Sequence, residues 1–577
     1  MKCMFRELKA FGKELVLIVL TVIGTTLCTL GLPFLLTRLI DHAIPTGNYP
    51  GVFAIVGIML VLVVIGVLCG IATSRLSASV SMGVGKNLRS KLFQKVQSFS
   101  QAEIDAFSTS SLITRTNNDV MQIQRFLNQC LRIAIQAPVM CIAGIILAIT
   151  SVPSLASILI VAVPLMTIVL VIIGKLAIPL STMIQTKIDE LNLVMREKLT
   201  GVRVIRAFGT TEFEAERFGK INKEYQRINK RMQRTTNAVH PLLTVIISVT
   251  AGGVMLMAAN QFLNKGMDFT IGEVVALIQY ILQIMMAVTM LTLVFIMLPR
   301  AATAAARAQE ILSTESVIRN PEEPKTSAGK KGYLSFRNVS FTYAGASAPA
   351  ISGLSFDAKP GEVTAIIGGT GMGKSTIVNL IPRLYDVSEG QVLVDDVDVR
   401  DYTLEDLRSK IGFVPQKALL FAGTIESNIA FGDDQPTEAR IEEAVRIAQS
   451  YDFIMKKDEG FDSPIAQGGT NVSGGQRQRL CIARAIVRKP EIYVFDDSFS
   501  ALDFKTDKSL RQALAKETQD ATTVIVAQRI STIMDADRII VVENGKVMGI
   551  GTHRELLDTC PVYQEIVRSQ LGEEEAR

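Results

Sequence analysis

Tryptophan is missing from all 577 residues of this chain. Any ring that stacks on a nucleotide base, or anchors at a membrane surface, must therefore be Phe or Tyr. Cysteine is sparse: Cys3, Cys28, Cys69, Cys130, Cys141, Cys481 and Cys560 are scattered, with no C-x-x-C pair. That spacing excludes a disulfide framework and a thiolate metal centre. Charge is also modest. The net charge is +5 and basic residues form no long run, which excludes a nucleic-acid partner.

Apolar residues, by contrast, make up 48% of the chain, and the mean hydropathy is +0.32. The average hides a split. Long apolar runs fill the first 300 or so residues, and the last 250 read as an ordinary α/β sequence. Six stretches match the roughly 20 apolar residues needed to cross a bilayer: 15–40, 52–73, 131–152, 155–178, 238–262 and 271–298. Lys2, Arg6, Lys9 and Lys13 precede the first. The run from Leu15 to Leu36 is too long for a signal peptide, so it predicts a first span with a short amphipathic helix before it.

The connections alternate. Segments 41–51 and 151–154 carry no Lys or Arg, and 264–270 carries only Lys265, whereas the two long polar connections carry many, among them Arg75, Lys86, Arg89, Lys187, Arg196 and Arg203. The excess of positive charge places the long connections and both termini in the cytoplasm. Residues 201–218 read as a solvated amphipathic helix whose tip docks on the soluble part, and 102–110 form a comparable break in the first connection. A Pro- and Lys-rich linker, NPEEPKTSAGKKG, then divides a membrane domain, 1–325, from a second domain, 326–577. Beyond it, short β-branched strands alternate with helices, as in a mostly parallel sheet.

Gly368, Gly369, Thr370, Gly371, Met372, Gly373, Lys374 and Ser375, followed by Thr376, match G-x-x-x-x-G-K-[ST]. A strand-like VTAII precedes them and a helix-like STIVNLI follows, the context a P-loop requires. The glycines let backbone N–H groups wrap phosphates; Lys374 reaches the β- and γ-phosphates, and the Ser375 hydroxyl ligates Mg²⁺. About 120 residues later IYVF ends in Asp496 and Asp497. Asp496 fits the carboxylate that holds Mg²⁺. Between them Ser473, Gly474, Gly475 and Gln476 open a helical segment.

With these motifs in this order, the chain resembles the ATP-binding-cassette transporters of the exporter type, over its whole length. The resemblance implies an all-α domain of six transmembrane helices followed by an α/β P-loop NTPase nucleotide-binding domain. It implies ATP and Mg²⁺ as cofactors. It also implies work as a dimer in which each P-loop meets the signature motif, Ser473 to Gln476 here, of the other chain. Residue by residue it implies that Tyr343 stacks on adenine and that Gln416 links Mg²⁺ to the membrane domain. Asp503, in the Ser-Ala-Leu-Asp loop, links the two sites.

Two positions depart from the family pattern. Asp497 stands where a glutamate normally orients the attacking water, and Gln528 where a histidine normally contacts the γ-phosphate. Gln467 is a third departure, in the loop before the signature. A shorter carboxylate misplaces the base by about a bond length, a change of the order that costs about 10²-fold in rate. An amide cannot carry the charge or proton of an imidazole. The expectation is that Asp497, Gln528 and Lys374 form a catalytic set that binds ATP and hydrolyses it poorly. The chain would then pair with a different half-transporter that its own intact signature completes. The alternatives are a homodimeric lipid or peptide exporter with slow ATPase, and an ATP-gated channel or regulatory membrane protein. For substrate, the sixth span offers Gln279, Gln283, Thr289 and Thr292 among Met285, Met286, Met290 and Met297. An adaptable methionine wall suits amphipathic small molecules. Lys175 and Glu273 read as residues near helix ends.

Overall fold

The computed structural model describes residues 1–265, 269–327, 329–433 and 435–571. Part of the short connection 264–270, and the side chains of Lys265 and Thr292, lie outside the described residues. The chain forms two compact units. One comprises Met1–Gln97 and Thr109–Thr314; the other comprises Ser98–Ser108 and everything from Glu315 on.

The first unit is entirely helical. A short α1 (Lys2–Leu8) leads into α2 (Gly12–Arg38) and α3 (Tyr49–Gln97). After α4 (Gln101–Phe107), which belongs to the second unit, follow α5 (Thr109–Thr114), α6 (Val120–Gln129), α7 (Ile135–Ser151), α8 (Pro153–Ala156) and α9 (Leu159–Thr200). Then come α10 (Val202–Ala207), α11 (Thr211–Asn237), α12 (Val239–Lys265) and α13 (Ile271–Ser313). Six helical runs among the described residues are long and apolar enough to cross a membrane. Helices are the form in which a spanning segment satisfies every backbone N–H and C=O by itself. At 1.5 Å per residue, the 49 residues of α3 extend about 74 Å, more than twice the roughly 30 Å hydrocarbon core.

Apolar side chains face outward here as well as inward. Leu60, Val67 and Ile71 on α3 are exposed, which suits contact with lipid tails. Inside, Leu30 of α2, Ala148 of α7 and Tyr280, Ile281 and Ile284 of α13 pack into one core. Gly144 lets α7 approach α13 closely, since a Cβ there would lie 2.8 Å from Ile284. Farther along the bundle, ion pairs join the apolar packing of Leu88, Leu92, Ile123 and Ala308. Arg307 of α13 makes a two-bond clamp on Asp119 at 2.8 and 2.6 Å, and Lys91 of α3 pairs with the buried Glu7 of α1 at 2.6 Å.

Residues 201–218 are not one amphipathic helix. Gly201 ends α9, α10 is six residues long, and the chain turns at Gly209, where φ is +67°, before α11 begins. Only a residue without Cβ adopts that φ cheaply. Phe208 and Phe213, either side of Gly209, are left 77% and 67% exposed, the expected tip. Lys175 sits within the 42-residue α9, not near its end. Glu273 closes a capping box with Thr270 at the start of α13.

The second unit is α/β. Its strands are β1 (Leu334–Phe341), β2 (Ile351–Ala358), β3 (Val363–Ile367), β4 (Glu389–Val394), β5 (Val397–Asp398), β6 (Ile411–Val414), β7 (Gly423–Thr424), β8 (Pro464–Ile465), β9 (Ile492–Asp496), β10 (Thr522–Val526), β11 (Arg538–Glu543) and β12 (Lys546–Gly551). Its helices are α14 (Lys374–Leu380), α15 (Leu404–Ser409), α16 (Ile425–Ala430), α17 (Glu438–Ile447), α18 (Tyr451–Met455), α19 (Gly474–Val487), α20 (Phe504–Glu517), α21 (His553–Thr559) and α22 (Pro561–Leu571). A six-stranded sheet runs in the order β12-β11-β3-β10-β9-β6, parallel except for β12. Every residue of β9 and β10 is buried, as strands covered on both faces must be. A second, four-stranded antiparallel sheet has the order β2-β1-β4-β5.

Removing Arg307 leaves the Asp119 carboxylate buried, 3% exposed, without its forked partner. The loss is about 1–3 kcal/mol, the cost of a buried group left unsatisfied. Arg307→Ala should therefore lower the thermal unfolding midpoint of the detergent-solubilised chain, and Arg307→Lys should fall between the two. A midpoint equal to the parent's would contradict this.

Candidate nucleotide site

Three parallel strands end side by side. In β10, Val526 pairs with Ile366 of β3 on one side and with Asp496 of β9 on the other. One row therefore presents the loop that opens at Gly368, the Asp496–Asp497 pair and the segment carrying Gln528. Crevices at the carboxyl ends of such strands are where open α/β sheets bind ligands.

The loop is built for close approach. Gly371 and Gly373 have φ of +81° and +89°. A Cβ on Gly368 would lie 2.1 Å from the Val542 carbonyl, and one on Gly373 2.6 Å from that of Ala350. Met372 braces the loop by accepting from the Asn544 N–H at 3.2 Å. Gly369 and Thr370 stay at the surface. Lys374 is buried, and its ammonium donates to the carbonyls of Gly368 at 2.8 Å and Gly369 at 2.6 Å. Burial pulls its pKa below the usual lysine value, against the pull of Asp497 and Asp496. A buried cation held by carbonyls, inside a loop of N–H donors, is a cradle for a phosphate chain.

The metal side fits as well. The Ser375 hydroxyl donates to Asp496 at 3.1 Å, pairing a hydroxyl oxygen with a carboxylate, the hard donors Mg²⁺ takes. Burial pushes the Asp496 carboxyl above its usual range, with the Asp497 charge adding to it. Asp497 is raised too, again by burial. Two buried carboxylates side by side, both reluctant to ionise, are relieved by a divalent cation.

Asp497 is the hub. Its backbone is in a left-handed conformation, φ +47°, tied by its N–H to Val526 O at 3.0 Å. Its carbonyl accepts from the Gln478 amide at 3.3 Å and the Ser500 hydroxyl at 3.0 Å. On its side chain converge both the Gln528 amide, at 2.7 Å, and the Gln416 amide, at 3.5 Å. Two of the three residues that depart from the family pattern, Asp497 and Gln528, thus touch each other.

Tyr343 packs edge-on against Tyr385, ring centroids 5.4 Å apart, and its hydroxyl bonds Thr376 at 2.9 Å. That contact ties the aromatic to the helix that follows the P-loop. Tyr385 in turn donates to Asp105 of α4 at 2.8 Å. Asp105 and its neighbour Glu103 were not singled out from the sequence. Glu103 closes a capping box with Ser100 and accepts from the Val317 N–H at 3.0 Å. The S-x-x-E spacing was the available signal; the distant partners had none.

Ser473, Gly474, Gly475 and Gln476 are not part of this cluster. Ser473 caps α19 and closes a capping box with Gln476. Among the described residues no hydrogen bond joins them to the loop 368–376. Asp503 caps α20 by accepting from the Thr506 N–H at 3.0 Å.

Residues 15–288 match the ABC transporter transmembrane region, and residues 351–500 the family described as ABC transporter. An ABC transporter ATP-binding protein of Mycobacterium tuberculosis is 38% identical over 98% of this chain and 97% of its own length. The ATP-dependent lipid A-core flippase of Yersinia pestis is 31% identical over 90% and 88%. The solved structure of a bacterial Atm1-family ABC exporter with ATP bound superposes with a TM-score of 0.82. It is 25% identical and covers 98% of this chain and 99% of that one. The chain belongs to the ABC transporter family. It is a half-transporter of the exporter type, one transmembrane region joined to one ATP-binding domain that takes ATP with Mg²⁺, and such exporters work as dimers in a membrane.

Because Asp496 and Asp497 are held above the ordinary aspartate value of about 3.9, protons compete for them at less acidic pH than for a free aspartate. The Mg²⁺-dependent part of ATP affinity should fall as pH is lowered from 7 to 5, measured with a fluorescent ATP analogue. Asp496→Asn should shrink that pH dependence, leaving the part due to Asp497 and to the terminal phosphate of ATP itself. A variant that keeps the parent's pH profile would count against this assignment.

Proposed function

We propose that this chain is the weakly hydrolysing half of a heterodimeric exporter. It would move amphipathic or hydrophobic small molecules across the cytoplasmic membrane by alternating access. In this reading residues 1–325 are its membrane domain and 326–577 its cytoplasmic ATP-binding domain, with 98–108 and 315–325 packed into the compact unit of the latter. The observation that carries this reading is the 2.7 Å bond between Gln528 and Asp497. Asp497 has the shorter carboxylate, and its Oδ2 is engaged by an amide. Such a carboxylate is less able to accept a proton from water than a free glutamate in line with it. An exposed Ser473 cap, unconnected to its own P-loop, supports the second half of the reading: it is available to a neighbouring chain.

ATP with Mg²⁺, when bound, supplies the phosphoanhydride bond and the charge that neutralises it. The chain's own residues hold and orient. Lys374 and the loop N–H groups fix the phosphates, Ser375 and Asp496 hold the metal side, and Tyr343 offers a ring to adenine. Asp497 and Gln528 hold each other. In this reading, closure of two such domains is passed to the helices through the segments 104–109 and 208–213. Met286 and Met290 of α13, both exposed, offer an adaptable, apolar surface for varied substrates, whereas Met285 of the expected methionine wall is buried in the helical core. A homodimeric lipid exporter is the second reading, and the relationship to a lipid A-core flippase favours it.

Restoring the family pair, Asp497→Glu with Gln528→His, should raise ATP hydrolysis by the purified full-length chain at least about tenfold, given the cost of a misplaced base. An unchanged rate would refute impairment at this site. Separately, Ser473→Ala should lower the ATPase of the assembled transporter. ATP photolabelling of this chain's own P-loop should stay intact. Full activity in that variant would remove the argument for a site shared between chains.

A further inference from the structure

We infer that Gln570, on α22, is a positioning residue for the nucleotide site. Its side chain sets the backbone of the segment that carries Gln528. The Gln570 amide nitrogen donates to the Gln528 carbonyl at 2.7 Å, and its amide oxygen accepts from the Ile530 N–H at 2.9 Å. The two backbone partners fix which end of the amide is which, because a carbonyl can only accept and an N–H only donate. One side chain thus spans both sides of Arg529, as a neighbouring strand would.

The geometry has an anchor at each end. Tyr563 and Val567 of α22 are fully buried in the core beneath the sheet, and Tyr563 is bonded to His553 Nδ1 at 2.7 Å. Residues 563, 567 and 570 share one helical face, so burying the first two aims the third at the segment 528–530. On the other side the Ala527 N–H donates to Ile366 of β3 at 3.1 Å, and Ile530 is buried. Between these fixed points Gln528 and Arg529 are exposed. Gln570 is the clamp that holds this span while the Gln528 side chain reaches Asp497.

This inference rests on the proposed reading of Asp497 and Gln528 as the bonded pair at the γ-phosphate end of the site, where the family pattern has a histidine in the place of Gln528. Its test separates the two. Affinities for fluorescent ATP and ADP analogues are measured on the full-length chain in lipid nanodiscs, with amide hydrogen exchange over 527–532. Gln570→Ala should weaken ATP by about three- to tenfold, the worth of one net hydrogen bond, and leave ADP unchanged. It should speed exchange of the Ile530 amide and add nothing in a Gln528→Ala background. Gln570→Glu, nearly isosteric, keeps the acceptor for Ile530 but sets a carboxylate oxygen against the Gln528 carbonyl, and should weaken ATP at least as much as Gln570→Ala. Equal weakening of ATP and ADP would mean a folding role only and overturn the inference. So would an unchanged ATP-to-ADP ratio in Gln570→Ala when Gln528→Ala alters it. If Gln528→Ala alters neither, the reading of Gln528 fails and takes this inference with it.

Discussion

The parallel register of β3, β10 and β9 is the constraint on which the nucleotide site depends. Opposing Val526 to Ile366 and to Asp496 brings three chain segments far apart in sequence to one line. A slip of one residue in β10 would turn its side chains to the other face of the sheet and retract Gln528 from Asp497. The register is held by burial: Val524 and Val526 face one core while Ile525 faces the other. The same alternation that stabilises the sheet therefore sets the spacing of the chemistry.

The membrane unit obeys a different rule. Lipid offers no hydrogen bonds, so helix is imposed on every spanning segment, and prolines at 33, 138, 164, 179 and 299 are carried inside helices. At Asp119–Arg307 and Glu7–Lys91, directional ionic contacts are added to an apolar seam that continues through Leu88, Leu92, Ile123, Ala305, Ala308 and Ile311.

Much of this was legible in the sequence. Six apolar runs appear as six helical spans, because length and hydropathy alone decide insertion. The P-loop, the Asp496–Asp497 strand end and the Ser473 cap each carry a local signature of spacing. Residues 201–218 were not legible as a break: two glycines at 201 and 209 weigh little against a strong helical pattern until φ at Gly209 is seen. Lys175 read as a residue near a helix end because hydropathy marks where a span stops, whereas α9 continues well beyond it. Asp105 and Gln570 were silent, and Glu103 showed only its local capping-box spacing, since their distant partners lie tens to hundreds of residues away.

Sequence by itself determined the class of protein, the order of its parts, its cofactors and the identity of the two unusual residues near the phosphates. Tertiary structure alone decided that those two residues, Asp497 and Gln528, are bonded to each other, and that Gln570 holds the backbone of one of them. The reason is physical. Motif and hydropathy are properties of neighbours along the chain, set by backbone geometry and solvent. A side-chain contact between residues 31 or 42 positions apart exists only once the buried strands have chosen their register.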